Sequence, residues 1–300
     1  MERRKLGRTD IKATILGFGG AEIGLEGDGA TQATVTYLLQ SALDAGLNVI
    51  DTAECYGASE KLIGQAVSNR RKDYYLFTKC GHPGGLDTKD WRPESLLCSI
   101  QRSLKRLNTD YLDLIQLHSC SIDELVSGGP IEALQQAKER GYSRYIGYSG
   151  DGQAAYYAIK RNIFDCLQTS INIADQEALD LTLPLARKKQ MGIIAKRPLA
   201  NAAWRTRERP KNSYHHTYWD RLQKLSYPFL EDQLEDTISA ALRFTLSAPG
   251  VHTAIVGTLT PGRWSQNSAF LEAGPLPATK FNAIRKSWIE VAEPSWVGQT

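Results

Sequence analysis

Short apolar runs rich in β-branched residues alternate along most of this chain with longer stretches whose apolar positions recur every three or four residues. The runs fall at residues 14–19, 48–53, 74–79, 112–118, 143–149, 166–171, 192–196 and 253–256, eight in all. Several are apolar at nearly every position, as strands buried on both faces are. Between them, residues 31–45 place Val35, Leu38, Leu39, Ala42 and Leu43 on one helical face, with Gly46 as the stop. Pro93 opens a second such stretch, followed by Leu96, Leu97, Ile100, Leu104 and Leu107. Residues 131–140, 153–160, 177–189, 234–246 and 261–271 also read as helices.

Strand and helix alternating eight times predicts an all-parallel sheet, and closure into a (β/α)8 TIM barrel removes both sheet edges. An open doubly wound sheet is the competing reading. Its Gly-x-Gly-x-x-Gly signature is missing after the first strand, where the chain has Gly17-Phe18-Gly19-Gly20. A chain of 300 residues suits one elaborated barrel domain over 1–300. Three stretches lie outside the repeat. Residues 3–14 read as a β-hairpin capping the bottom of the barrel, 197–231 as a long loop insertion on the C-terminal face, and 273–300 as a tail packed over the site or the barrel wall. An insertion of that length is more often functional than idle.

Composition narrows the class. With 42% hydrophobic residues the chain can build a large core. No apolar run is long enough for a membrane span, and the charged start Met1-Glu2-Arg3-Arg4-Lys5 points to the cytoplasm. Five widely spaced cysteines without a Cys-x-x-Cys pair read as reduced thiols, with neither a disulfide framework nor a zinc site. The adjacent His215 and His216 read as polar loop residues, so no metal is expected. The small net charge of +3 requires no nucleic-acid partner, and no membrane partner is expected either. The sequence leaves the oligomeric state open.

In such barrels the chemistry sits where strands end, on the C-terminal face. Asp51 and Tyr56 follow the second run, Lys79 closes the third and His118 the fourth. Taken singly, Asp51 and Lys79 read as a structural ion pair, Tyr56 as a loop aromatic and His118 as a hydrogen-bonded core histidine. Together they make a proton donor, and a buried ion pair is weak evidence of stability alone. A free phenol has a pKa near ~10; a neighbouring ammonium, held charged by Asp51, is expected to lower it. Lys and Tyr make poor metal ligands, and no pair of acids at strand ends suits a hydrolase.

With these motifs the chain resembles the aldo-keto reductase superfamily. The likeness runs through Asn48-Val49-Ile50-Asp51-Thr52-Ala53-Glu54-Cys55-Tyr56-Gly57 with Glu60 and Gly64, through Phe77-Thr78-Lys79, and through Arg102–Leu114 into Ile115-Gln116-Leu117-His118. It implies a catalytic tetrad of Asp51, Tyr56, Lys79 and His118, with Tyr56 as general acid in the reduction of aldehydes or ketones. It also implies an extended nicotinamide cofactor, NADP(H) with NAD possible, lying across the barrel top. Carried over by position, Gly19, Gly20, Ala21 and Asp51 approach the nicotinamide end, and Ser149 and Gln168 hold the carboxamide. Lys196, Arg197, Pro198 and Leu199 follow the seventh strand near the pyrophosphate. Gly257, Thr258, Thr260, Arg263, Gln266 and Asn267 match the adenosine-phosphate motif, with Arg263 on the 2′-phosphate. The chain departs from the family at Gly150, where an asparagine is usual, at Lys196, where an aromatic is usual, and at Gly257, where a lysine is common. His82, Trp91 and Trp204 line the substrate pocket on position alone. A small-molecule carbonyl is the implied partner; a catalytically silent regulatory or scaffold subunit of the same family is the alternative.

Overall fold

The computed structural model of the chain describes residues 1–25, 30–85 and 87–299. It begins with an antiparallel hairpin, β1 (Arg3–Lys5) and β2 (Lys12–Thr14), in which Arg3 faces Thr14 and Lys5 faces Lys12. Eight further strands follow: β3 (Leu16–Gly19), β4 (Val49–Asp51), β5 (Tyr75–Cys80), β6 (Leu112–His118), β7 (Ser143–Ser149), β8 (Cys166–Ser170), β9 (Gly192–Lys196) and β10 (Thr253–Val256). They pair in parallel in sequence order, and β10 closes onto β3 as a barrel. The expected (β/α)8 barrel is the fold.

Side chains alternate along each strand between the barrel interior and the helical jacket. The outward set, including Phe18, Ile50, Leu76, Ile115, Leu117, Ile146, Leu167 and Ile193, packs against the helices in the main core. The inward set divides by height. Near the N-terminal end, Val49, Phe77, Leu114, Cys166, Ile194 and Ile255 form a separate apolar cluster. The hairpin seals that cluster from below with Leu6, Ile11 and Ala13. Gly7 lets it seat: with φ +55°, its Cβ would stand 2.2 Å from the Gly192 amide nitrogen.

Helix boundaries follow local chemistry. Thr31 caps the helix Gln32–Asp44 by accepting from the Thr34 amide at 3.2 Å, and its buried residues are Val35, Leu38, Leu39, Ala42 and Leu43. Pro93 starts Pro93–Leu107, and Asn108 ends it in the left-handed region. The single helix expected over 177–189 is two, Glu177–Leu181 and Leu183–Lys188. Pro184 has no N–H for the Asp180 carbonyl, so the ladder breaks there. The helix expected from Pro261 begins at Arg263, because Gly262 takes φ +78°.

Outside the strand–helix repeat, His216–Leu225 forms in the 197–231 insertion and Ala278–Val291 in the tail. Tyr218, Leu222 and Leu225 of the first share an apolar cluster with Ile284 and Trp288 of the second, together with Tyr227 and Trp296. Insertion and tail thus bury each other beside the barrel mouth. Trp204 packs against the same cluster. No helix among the described residues is long and apolar enough to cross a membrane.

Candidate active site

One pleat above the apolar layer the same strands turn polar, and their polar groups meet. Lys79 Nζ donates to Asp51 Oδ2 at 2.5 Å and to the Thr52 carbonyl at 2.8 Å. Asp51 Oδ1 accepts from Gln168 Nε2 at 2.9 Å and from Gln116 Nε2 at 3.4 Å. Ser149 Oγ donates to Gln168 Oε1 at 3.1 Å. Strands β4, β5, β6, β7 and β8 each contribute one member, and all five side chains are buried. Taking such a network out of water is costly, and its value lies in orientation more than in stability.

Tyr56, partly exposed, lies on the loop leaving β4. Lys79 Nζ is 5.1 Å from the centroid of its ring, and the His118 imidazole meets that ring edge-on at 5.7 Å. The lowering of the phenol pKa expected from Lys79 does not prevail. Burial first, and then the Asp51 carboxylate, push the Tyr56 hydroxyl well above its usual value, with Arg197 opposing. The Lys79 ammonium is directed at Asp51 and Thr52 instead. Burial first, and then the neighbouring Lys79, His82, Lys196 and Arg197, hold His118 well below the usual imidazole range. At neutral pH the phenol therefore keeps its proton and the imidazole is uncharged.

Two buried acids fix the loop that carries Tyr56. Glu54 accepts from Ser99 and from Arg102 at 2.6 Å. Glu60 accepts from Thr78 at 2.7 Å and Arg106 at 3.3 Å. Both ties run to the helix Pro93–Leu107 or the adjacent strand, so the loop is clamped at both ends. Behind His118, His82 lies 5.3 Å from it ring to ring and Trp91 5.7 Å beyond, edge-on in each case. A cavity of about 470 Å³ opens beside them, lined by Lys89, Asp90, Trp91, Arg92, Ser119, Ser121 and Glu124. Polar and apolar atoms share its lining about equally.

The residues expected around a cofactor lie along the rim from β3 to β10. Gly19 pairs with Asp51 across the β3–β4 edge, and the Gly20 amide donates to the Asp51 carbonyl at 2.7 Å. Ala21 opens the short helix Ala21–Leu25. At the other end Thr258 Oγ1 accepts from the Thr260 amide at 3.0 Å, shaping the turn before the helix Arg263–Phe270. The Arg263 side chain, half-buried, has no hydrogen-bond partner among the described residues. Gln266 is exposed, and Asn267 is buried. Gly257 leaves room for the Glu22 carboxylate, which a Cβ there would strike at 1.5 Å.

Between these ends the cations after β9 already have partners within the chain. Lys196 Nζ pairs with Asp151 Oδ2 at 2.7 Å, and burial first lowers its pKa to about 8. Arg197 donates to Tyr214 at 2.8 Å, to Ser170 at 3.1 Å and to the Gln299 carbonyl at 2.6 Å. The tail is held there at further points: Gly298 donates to Glu177 at 2.7 Å, Gln299 to Asp175 at 3.2 Å, and Arg221 donates to the Val297 carbonyl at 2.8 Å. The loop itself is strained. Arg197, Ala200, Asn201 and Ala202 all have φ between +44° and +54°. Pro198 is buried and Leu199 partly so.

The structure thus brings together Asp51, Lys79, Tyr56, His118, Ser149 and Gln168, and sets the remaining cofactor candidates along one rim. Sequence reasoning missed Gln116, Cys55 and Asp151, and it expected the tail over the site or the barrel wall without naming Val297, Gly298 or Gln299. Gln116 was legible as the inward position two before His118; the others owe their place to contacts between distant segments.

The profile of the Aldo/keto reductase family matches residues 15–289. An uncharacterized oxidoreductase, YqkF, of Bacillus subtilis (strain 168) is 28% identical over 95% of this chain and 96% of its own length. L-galactose dehydrogenase of Arabidopsis thaliana is 28% identical, covering 90% of this chain and 88% of that protein. Among solved structures, the holo form of an aldo-keto reductase from Bacillus halodurans superimposes with a TM-score of 0.83. It is 27% identical and covers 96% of both chains.

Proposed function

Because the chain belongs to the aldo/keto reductase family, whose oxidoreductases act on carbonyl compounds with nicotinamide cofactors, we propose that it reduces aldehydes or ketones to alcohols with NADPH, Tyr56 donating the proton. One observation carries this reading: a neutral phenol, a carboxylate-held ammonium and a neutral imidazole converge at the barrel mouth. The donor set also fits the cofactor. Ser149 and Gln168 present hydroxyl and amide groups suited to a carboxamide, and Gly19, Gly20 and Ala21 keep the rim beside Asp51 free of bulk. An unpartnered Arg263 at a helix start suits a 2′-phosphate, with Thr258 and Thr260 shaping the turn. Lys196, Arg197, Pro198 and Leu199 flank the path between, and Gln266 and Asn267 extend the helix end.

When bound, NADPH supplies the hydride to the carbonyl carbon. The protein's part is the oxygen. His118 donates an N–H to the carbonyl oxygen and orients it. As negative charge grows on that oxygen, the phenol proton of Tyr56 passes to it, giving the alcohol. The phenolate left behind lies beside the Lys79 ammonium, which Asp51 and the Thr52 carbonyl hold in place. The test is consumption of NADPH with a panel of aldehydes, for the parent and for Tyr56→Phe. Cofactor binding without turnover of any aldehyde would instead support a silent binding subunit.

A further inference from the structure

Cys55 precedes Tyr56, is 5% exposed, and sets its Sγ 3.3 Å from Nδ1 of His118. We propose that Cys55 is a positioning residue: its S–H donates to Nδ1 of His118, which leaves the imidazole proton on Nε2, where it meets the substrate oxygen. The inference rests on the carbonyl-reductase reading of this site.

Three observations fix the direction of that bond. A neutral imidazole has one N–H and one strong acceptor nitrogen, whereas a thiol is a weak acceptor that carries a proton of its own. Burial pushes the Cys55 thiol up to about 12, so at neutral pH the proton stays on sulfur. His118 Nε2 has no hydrogen-bond partner among the described residues, so the nitrogen opposite the thiol is the one left for a ligand.

The rest of the histidine is already immobilised. His82 Nε2 donates to the His118 carbonyl at 2.7 Å, and the next amide, that of Ser119, donates to the Ser149 carbonyl at 2.7 Å. Tyr56 and His82 both meet the ring edge-on. What stays free is the choice of tautomer. A proton on Nδ1 would turn the Nε2 lone pair toward the lone pairs of a carbonyl oxygen, which repels the substrate instead of orienting it. The thiol removes that choice.

The experiment reads the tautomer directly. Long-range proton–nitrogen correlation of the imidazoles in 15N-labelled protein, with His118 assigned through His118→Gln, distinguishes a protonated from an unprotonated ring nitrogen. The parent and Cys55→Ser are expected to show His118 with Nδ1 bare and Nε2 protonated. Cys55→Val, which fills the space without a donor, should show a mixture of tautomers. It should also lose roughly 2- to 12-fold in kcat, the factor of one ordinary hydrogen bond, with KM for NADPH unchanged and Ser restoring the rate. A parent spectrum with the proton on Nδ1 overturns the proposal, whether or not Cys55→Val folds. So does a Val variant with unshifted signals, or a Ser variant that fails as Val does. The spectrum needs no substrate, so a failure of the carbonyl-reductase reading, seen as an active Tyr56→Phe, stays separate from a failure here.

Discussion

The two ends of the barrel interior are built from the same strands and follow opposite rules. At the bottom Val49, Phe77, Leu114, Cys166, Ile194 and Ile255 point inward and pack with the hairpin's Leu6, Ile11 and Ala13. Two residues further along those strands stand Asp51, Lys79, Gln116, Gln168 and Lys196, and after β10 comes Gly257. The lower layer gains by removing apolar surface from water. The upper layer gives up that gain for a charged pair whose desolvation its own attraction barely repays. The lesson is a division by height: apolar packing is concentrated below, the candidate catalytic groups above, and a step of one pleat separates them.

Tyr56→Phe probes the upper layer most severely. It should cut aldehyde reduction by about 10²–10⁴-fold with the melting temperature unchanged and NADPH still bound. A variant keeping a tenth of the parental kcat would remove Tyr56 from its role.

In the lower layer the converse is expected. Phe77→Ala should lower unfolding free energy by about 3–5 kcal/mol, measured by urea titration, while kcat per folded molecule stays near the parental value. Loss of turnover in the folded fraction would show that the layers are coupled and the division too simple.

Arg263→Ala addresses the rim. A charged hydrogen-bond donor to a phosphate is worth roughly 1.5–3 kcal/mol, so NADPH affinity should fall by that amount and NADH affinity should hardly change. The ratio of the two dissociation constants, read from tryptophan fluorescence, decides it. Equal losses would leave the choice of NADPH without a residue behind it.

The smallest effect concerns pH. On the proposed mechanism reduction needs Tyr56 protonated, a form present below its raised pKa and lost only above it; it needs His118 neutral, a form lost only below its lowered pKa. Both limbs move outward, so kcat should be flat across about pH 6 to 8. Alcohol oxidation, which needs the phenolate, should climb with pH. Lys79→Met removes the cation beside the phenol and should move that climb further into alkali. A narrow bell centred on neutrality would contradict the upper layer's electrostatics.

The chain's own pattern determined most of the frame. The runs at Leu112–His118, Ser143–Ser149, Gly192–Lys196 and Thr253–Val256 match their strands end to end. The five buried positions of Gln32–Asp44 are those its periodicity marks. These features are local, because apolar spacing, Thr31, Pro93 and Asn108 act within a turn or two. Asp51, Lys79 and His118 were legible for a related reason: strand ends on the C-terminal face are few, and such residues stand out there.

Tertiary structure decided the rest. Gln168 reaches Asp51 across 117 residues of chain and Arg197 meets the Gln299 carbonyl across 102, distances no local signal spans. The helices His216–Leu225 and Ala278–Val291 stayed hidden because each covers the other's apolar face. The sign of the Tyr56 shift was decided last. It depends on how much water the folded mouth excludes and on where the Lys79 ammonium points, and both exist only once β4, β5 and β8 have met.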